Sequence, residues 1–239
     1  MDTAAVALPK SGSYDRIASP WHTILLLVAL AAWSAWGKFH ADQMRAAANP
    51  GRLGLYAQTF AFEWILFAVM ILGLRRHGSP FSSVLGERWK SLRQVLIDIG
   101  ISAAFWVCSG FLLFLLSKLL HANGLGRNMQ FMLPHGWLEI AVWVALSITA
   151  GICEEAIFRG YFQRQFISFT QNGPVGIALS AALFGAAHAY QGLRMVVLIA
   201  LYGSMFGILA YWRKTVRPGM IAHAWQDSLS GIAASLVRH

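Results

Sequence analysis

The stretch MVVLIALYGSMFGILAYW at residues 195–212 contains no charged side chain, and a helix built from it is apolar on every side. Such a helix needs an apolar surrounding, and about 20 residues cross a bilayer. Further apolar blocks lie at 21–37, 55–74, 95–119, 137–160, 175–190 and 219–236. They are too long and too unbroken for the strands of a membrane barrel. The sequence therefore predicts an all-α, polytopic transmembrane helical bundle of about seven spans, with six to eight allowed because two blocks are short.

The composition agrees with a membrane protein. Of the 239 residues, 57% are hydrophobic and 12% are charged, whereas a soluble domain carries roughly twice this charged fraction. The formal charge of +9 does not indicate a nucleic-acid partner, because the basic residues lie in loops between apolar blocks. If the blocks alternate across the bilayer, the side that holds the N-terminus and the loop 75–94 carries more of these basic residues. The positive-inside rule then predicts that this side is cytoplasmic.

Three regions follow from the block pattern: a cytoplasmic N-terminal segment at 1–20, N-terminal transmembrane helices of unknown role at 21–136, and a third transmembrane region at 137–239, which contains the polar motifs considered below. No small-residue cleavage site closes the first block, so we expect that block to be a retained span and not a signal peptide. Cys108 and Cys153 both fall in apolar blocks. Two cysteines define neither a disulfide framework nor a metal-ligand spacing, so packing roles are expected for both.

An acidic pair, Glu154-Glu155, ends the block at 137–160, although a charged side chain inside a span costs a few kcal/mol. Neighbouring side chains point about 100° apart on a helix. Glu155 and Arg159 are four residues apart in the acid-first order that favours an ion pair, which leaves Glu154 as the carboxylate without a partner. Such a carboxylate suits general base catalysis. The alternative is a cluster that only marks a helix end at the cytoplasmic face.

Two further polar pairs at helical spacing follow in later blocks. Phe184 and His188 are four residues apart and are separated by small residues, which let another helix approach closely. His223 and Asp227 share one helix face, and an aspartate beside a histidine fixes its tautomer or stabilises its charged form. The structural alternatives are a histidine hydrogen-bonded across helices for the first pair and a buried polar bridge for the second.

In this order, each in its own block, the three pairs resemble the motifs of the CPBP family, which comprises CAAX proteases and bacteriocin-processing membrane enzymes. Those motifs read Glu-Glu-x-x-x-Arg, Phe-x-x-x-His and His-x-x-x-Asn or Asp. The resemblance covers about residues 137–236 and leaves the first 130 residues without a counterpart. It implies a glutamate-type intramembrane endopeptidase that acts without a cofactor.

The resemblance also implies roles for individual residues. Glu154 and His188 would activate a water molecule, and His223 with Asp227 would stabilise the oxyanion. Structural support of the site is implied for three others: Glu155, Arg159 and Phe184. An aspartate cannot donate to an oxyanion unless it is protonated, so we assign that contact to His223 and treat Asp227 as its orienting partner.

These residues can supply the groups that peptide hydrolysis needs, but straight helices do not bring all of them to one site. Peptide hydrolysis needs an activated water, an oxyanion donor and an acid for the leaving amine. The sequence contains neither a serine nucleophile elbow nor a His-Glu-x-x-His zinc motif. Straight helices folded about residues 172–174 place Glu154 and His188 at one level, but leave His223 about 20 Å away at 1.5 Å per residue. A common site is therefore expected to require a tilted, broken or re-entrant helix among the last three blocks.

Two alternatives to this protease stay open. One is a zinc-dependent endopeptidase with Glu154, His188 and His223 as ligands. The other is a non-enzymatic membrane scaffold, immunity protein or chaperone with a relict site. The expected partners are the lipid bilayer and a membrane-anchored protein or peptide, prenylated if the role is CAAX-type, and no nucleic acid. The expected location is the bacterial inner membrane with a cytoplasmic N-terminus, and the sequence carries no indication of the oligomeric state.

Overall fold

The computed structural model describes residues 14–47, 51–119 and 129–236, and these residues form helices and connecting segments without a strand. Of the predicted N-terminal segment at 1–20, residues 1–13 lie outside the described residues, as do residues 120–128 of the following loop. The helices are α1 (Pro20–Ala46), α2 (Arg52–His77), α3 (Ser82–Leu85), α4 (Leu92–Leu119), α5 (Gly136–Glu154), α6 (Gln163–Thr170), α7 (Gly173–Ala187), α8 (Leu193–Arg213) and α9 (Arg217–Leu236). A π-helical segment at Glu155–Phe162 joins α5 to α6, and a 3₁₀ turn at Ala189–Gln191 follows α7.

The prediction of an all-α membrane bundle is confirmed, whereas the count of about seven spans is not. Within the described residues, five helices are long and apolar enough to cross a membrane: α1, α2, α4, α8 and the continuous helix Gly136–Thr170. Each of the other two predicted blocks is also helical. However, α7 has only 15 residues, and α9 is not among the candidate spans.

Local sequence explains where several helices begin and end. Ser19 caps α1 by accepting a hydrogen bond from the backbone N–H of His22, and Pro20 occupies the first helical position, where its missing N–H costs nothing. Asn172 caps α7 in the same way through the N–H of Val175 at 3.0 Å. Gly78 ends α2 in the left-handed conformation with φ of 78°, which glycine adopts without a steric penalty.

The described part of the N-terminal segment lies with the loop 75–94 and with the chain around residues 171 and 211–215 at one end of the bundle. Tyr14 binds Gln171 through its backbone N–H at 3.0 Å, and its hydroxyl lies 3.0 Å from that of Tyr211. Arg213, at the end of α8, forms an ion pair with Asp98 of α4 at 2.8 Å. We call this the basic end. Its cytoplasmic orientation stays a prediction.

The opposite end joins the start of α2 to segments that precede α5 and α8. The hydroxyl of Tyr56 donates a hydrogen bond to the backbone oxygen of Met132 at 2.6 Å. Arg45 of α1 donates to the backbone oxygen of Tyr190 at 2.6 Å. These bonds join α1 and α2 to the chain segments that precede α5 and α8.

The π-helical segment Glu155–Phe162 lies at the centre of the core, and all eight of its residues are buried. A Cβ atom added at Gly160 would lie 2.4 Å from a methyl carbon of Val84, so glycine permits the close approach of the α3 segment. Single π turns inside α-helices are frequent at functional sites. Cys153, just before this segment, is buried as predicted, whereas Cys108 is exposed, so its predicted packing role is wrong.

Candidate active site

A buried ion pair anchors the site. Nη1 of Arg159 donates a hydrogen bond to Oε1 of Glu155 at 2.9 Å, and each side chain is only 1% exposed, which confirms the pairing predicted from their spacing. Nη2 of Arg159 donates to the backbone oxygen of Gly203 on α8 at 3.3 Å. The guanidinium also lies 4.2 Å from the ring centre of Phe184, close enough for a cation–π contact. The arginine thus joins the π-helical segment to α7 and α8.

His223 on α9 lies among three carboxylates. Its Nδ1 atom is 3.1 Å from Oε1 of Glu155, and its Nε2 atom is 3.5 Å from Oδ2 of Asp227 and 3.7 Å from Oε2 of Glu154. The distance to Glu155 is that of a hydrogen bond, whereas the two distances from Nε2 are longer than ordinary N–H···O bonds. His223 is buried, so these carboxylates are its main charged neighbours.

The close approach of His223 to Glu154 corrects the predicted offset of about 20 Å. That prediction assumed that every inter-helix turn lies at one membrane depth. In the structure the segment before α9 packs at the level of the π-helical segment, because Val84 contacts Gly160 and Gly86 contacts Thr215. Helix α9 therefore begins deep in the bundle. Helices α8 and α9 are continuous, whereas the predicted block at 175–190 is interrupted after Ala187 and continues as a 3₁₀ turn. A further irregular segment lies at Glu155–Phe162, outside the three blocks in which irregularity was expected.

Glycine at position 151 brings α9 against α5. A Cβ atom there would lie 2.6 Å from the backbone oxygen of Met220 and 3.1 Å from Cβ of Ala224. One level further along, the indole N–H of Trp143 donates to the backbone oxygen of Asp227 at 2.8 Å. These contacts flank His223 on α9 and set its position opposite the acidic pair.

His188 ends α7, and its Nδ1 atom lies 2.8 Å from the backbone oxygen of Phe184. In a neutral imidazole this bond places the proton on Nδ1 and leaves Nε2 as an acceptor. The ring of Phe184 lies 4.8 Å from that of His188 and 6.1 Å from that of His223. Phe184 therefore packs against both histidines and Arg159. In the described part of the chain, no carboxylate forms an ion pair with His188.

Glu154 and His188 meet in a cavity of about 130 Å³ that extends from the acidic pair toward the end of the bundle opposite the basic end. Residues of α1 and α2 form most of its wall, including the apolar side chains of Leu30, Trp33 and Leu66. His223 and Asp227 are not among the lining residues. Glu154, whose side chain is 20% exposed, is thus the group that reaches both the cavity and His223.

The structure brings together Glu154, Glu155, His223 and Asp227, and it places His188 on the same cavity as Glu154. Among the described residues, no group of three or more histidine, cysteine or acidic side chains is arranged to hold a metal ion. The proposed zinc ligands Glu154, His188 and His223 therefore do not converge as a ready ligand set in this geometry.

Sequence reasoning missed Glu63 on α2. This side chain is 7% exposed and lines the same cavity as Glu154 and His188. A signal was available, since Glu63 is the single charged residue of the apolar block 55–74. An ionisable residue inside a span is by default a candidate functional residue.

Comparison with known families agrees with this site. Residues 136–229 match the model of the family described as Type II CAAX prenyl endopeptidase Rce1-like. The match confirms the resemblance to CPBP-type proteases over these residues, and all three motifs lie inside the matched range. No curated protein and no solved structure gives a significant match. The matched residues thus resemble a protease family, and five of the described helices are long and apolar enough to cross a membrane.

Proposed function

We propose that this domain is a glutamate-type intramembrane endopeptidase, in which Glu154 and His188 activate a water molecule to hydrolyse a peptide bond. The observation that carries the proposal is the shared cavity: Glu154 and His188 line it together, and Glu154 also approaches His223. A membrane-buried cavity with a carboxylate and an acceptor imidazole nitrogen provides the groups that water activation requires.

In the proposed reaction, the carboxylate of Glu154 accepts a proton from water while Nε2 of His188 orients that water. The water oxygen bonds to the carbonyl carbon of the substrate, and the carbonyl oxygen becomes an oxyanion. When the carbon–nitrogen bond breaks, the proton held by Glu154 passes to the leaving amine. The products are a carboxylic acid and an amine, so no external reactant besides water is consumed.

We assign oxyanion stabilisation to Nε2 of His223 because its other nitrogen is already bonded to Glu155. Oδ2 of Asp227 lies 3.5 Å from the same nitrogen, and we assign to its negative charge the orientation and stabilisation of the protonated imidazole. Since His223 does not line the cavity, the substrate carbonyl must enter beside Glu154 to reach this nitrogen. Preorganised donors of this kind contribute about 3–4 kcal/mol of transition-state stabilisation in other hydrolases.

The proposed substrate is a membrane-anchored protein or peptide, of the prenylated CAAX type if the host prenylates proteins. The proposed location is the bacterial inner membrane. The test is reconstitution of the purified protein in liposomes with membrane-anchored peptides, followed by mass spectrometry of the products. Cleavage by the wild type that is absent in Glu154→Gln supports the proposal, and cleavage that persists in Glu154→Gln contradicts it. Membrane proteomics of cells that carry Glu154→Ala then identifies uncleaved clients.

A further inference from the structure

Glu63 is a buried carboxyl group outside the matched domain. It lies on α2, whereas the family match begins at residue 136. Its Oε2 atom is buried and has no hydrogen-bond partner among the described residues, although the side chain lines the cavity of Glu154 and His188. A buried polar atom without a partner costs about 1–3 kcal/mol, so a cavity ligand that supplies one is favoured.

The charges around the cavity do not balance if every carboxyl group is ionised. Glu155 is paired with Arg159, and Glu154 and Asp227 both approach His223. No cation forms an ion pair with Glu63 in the described part of the chain, and Glu154 lines the same cavity. Two carboxylates that share one poorly hydrated site do not both ionise readily. Glu63 is therefore the carboxyl group whose ionised form receives the least stabilisation from neighbouring cations.

An uncharged carboxyl group has different chemistry from its anion. It carries one O–H donor, whereas the anion only accepts. The wall of the cavity around Glu63 is mostly apolar, so few other donors compete with its O–H group for the acceptor groups of a ligand. Every residue of an extended polypeptide presents a backbone carbonyl that needs a donor when it leaves water.

We propose that Glu63 is uncharged and donates a hydrogen bond to a backbone carbonyl of the substrate, which makes α2 part of the substrate-binding site. The inference rests on the proposed peptidase function, and it adds a substrate-contacting residue on α2, outside the matched domain. Glu63 transfers no proton during the proposed reaction. Its contribution is to hold the substrate beside Glu154.

The charge state of Glu63 is tested by infrared difference spectroscopy of the reconstituted protein, which requires no activity. The spectrum of the wild type minus Glu63→Gln should contain the C=O band of a protonated carboxylic acid. Asp42→Asn is the matched control, because Asp42 is exposed and paired with Arg45 at 2.7 Å, and its difference spectrum should contain carboxylate bands. Carboxylate bands in the Glu63 spectrum would overturn the proposal.

The substrate contact is tested by kinetics. Glu63→Leu should raise KM about tenfold, the equivalent of one lost hydrogen bond of about 1.4 kcal/mol, with kcat changed by less than about twofold. Glu63→Gln keeps an uncharged donor and should stay within about threefold of the wild type. Gln58→Leu, the same kind of change on the exposed side of α2, should leave both constants unchanged.

Two kinetic outcomes contradict the proposal. If Glu63→Gln is as inactive as Glu154→Gln, Glu63 transfers a proton or acts as an anion. If Glu63→Leu matches the wild type, Glu63 does not contact the substrate. Glu154-dependent cleavage by the wild type is measured in the same assay, so a failure of the proposed peptidase is distinguished from a failure of the inference about Glu63.

Discussion

The Nδ1 atom of His223 lies 3.1 Å from Oε1 of Glu155, the same oxygen that accepts a hydrogen bond from Arg159 at 2.9 Å. One buried carboxylate oxygen therefore joins α9 to the helix that carries the acidic pair. The sequence motif predicted that Glu155 neutralises Arg159, and the structure adds that it also positions His223. A single substitution at Glu155 should affect both the fold and the site.

Glu155→Gln should lower the stability of the folded protein by about 3–5 kcal/mol, because it leaves the buried charge of Arg159 without its counter-charge. It should also lower activity through the loss of the His223 contact. Glu154→Gln should keep wild-type stability, since the Glu154 side chain is 20% exposed and has no arginine partner, while cleavage is lost. Thermal unfolding in detergent and peptide cleavage measure the two effects. Equal unfolding temperatures for both variants would contradict this division of roles.

Asp227 should tolerate asparagine better than leucine. Its Oδ2 atom lies 3.5 Å from Nε2 of His223, and its side chain is 39% exposed, so the charge is partly solvated. Asparagine keeps an acceptor for the imidazole, and Asp227→Asn should lower kcat by less than about tenfold, or about 1.4 kcal/mol. Asp227→Leu removes the polar neighbour of a group that becomes charged, and we expect a loss of about 1.4–2.7 kcal/mol, or about ten- to hundredfold in kcat. If the asparagine variant is the more damaged of the two, Asp227 does not act as an orienting acceptor.

Treatment with a chelator distinguishes metal-independent water activation from a zinc-dependent mechanism. If Glu154 and His188 activate water without a metal, the purified protein keeps its activity after exhaustive treatment with a chelator. A zinc enzyme would lose activity and regain it when metal is added. Metal analysis of the active, freshly purified protein is the control, and stoichiometric zinc that leaves and returns with activity would contradict the metal-independent route.

The orientation of the bundle is testable with single cysteines. After replacement of the exposed Cys108 by serine, Ser91→Cys should mark the basic end and His135→Cys the opposite end. The excess of basic residues predicts that Ser91→Cys is labelled only from the cytoplasm, whereas His135→Cys is labelled by a membrane-impermeant reagent in intact cells. The reverse pattern would invert the assignment, and with it the membrane side toward which the cavity extends.

Apolarity and short-range spacing predicted the parts of this structure that depend on neighbouring residues. The helical blocks and the ion pair between Glu155 and Arg159 are of this kind, because solvent and helix geometry determine them. The depth at which α9 begins depends on contacts between distant segments, such as Gly86 against Thr215, and helix counting does not contain these contacts. The π-helical segment and the entry of Glu63 into the cavity also depend on packing. The sequence nevertheless shows Glu63 as a lone charge in an apolar block, but it does not specify which side chains surround it.

The α5–α9 contact at Gly151 provides a test of the site's geometry without changing a catalytic group. A Cβ atom at this position would lie 2.6 Å from the backbone oxygen of Met220, so Gly151→Ala must move α9 away from α5. Over-packing of this kind costs about 1–3 kcal/mol, and the displaced helix carries His223 away from Glu154. We expect a lower unfolding temperature and a fall in kcat.

Gly100→Ala is the matched control, because a Cβ atom there has no neighbour within 4 Å. The higher helix propensity of alanine should leave its stability unchanged or raise it by up to about 1 kcal/mol, with activity retained. If Gly151→Ala keeps wild-type kcat while the Glu154-dependent reaction is measurable, the close approach of His223 to the acidic pair is not required for catalysis. The oxyanion role of His223 would then be wrong, and the stabilising donor would have to come from the cavity wall instead.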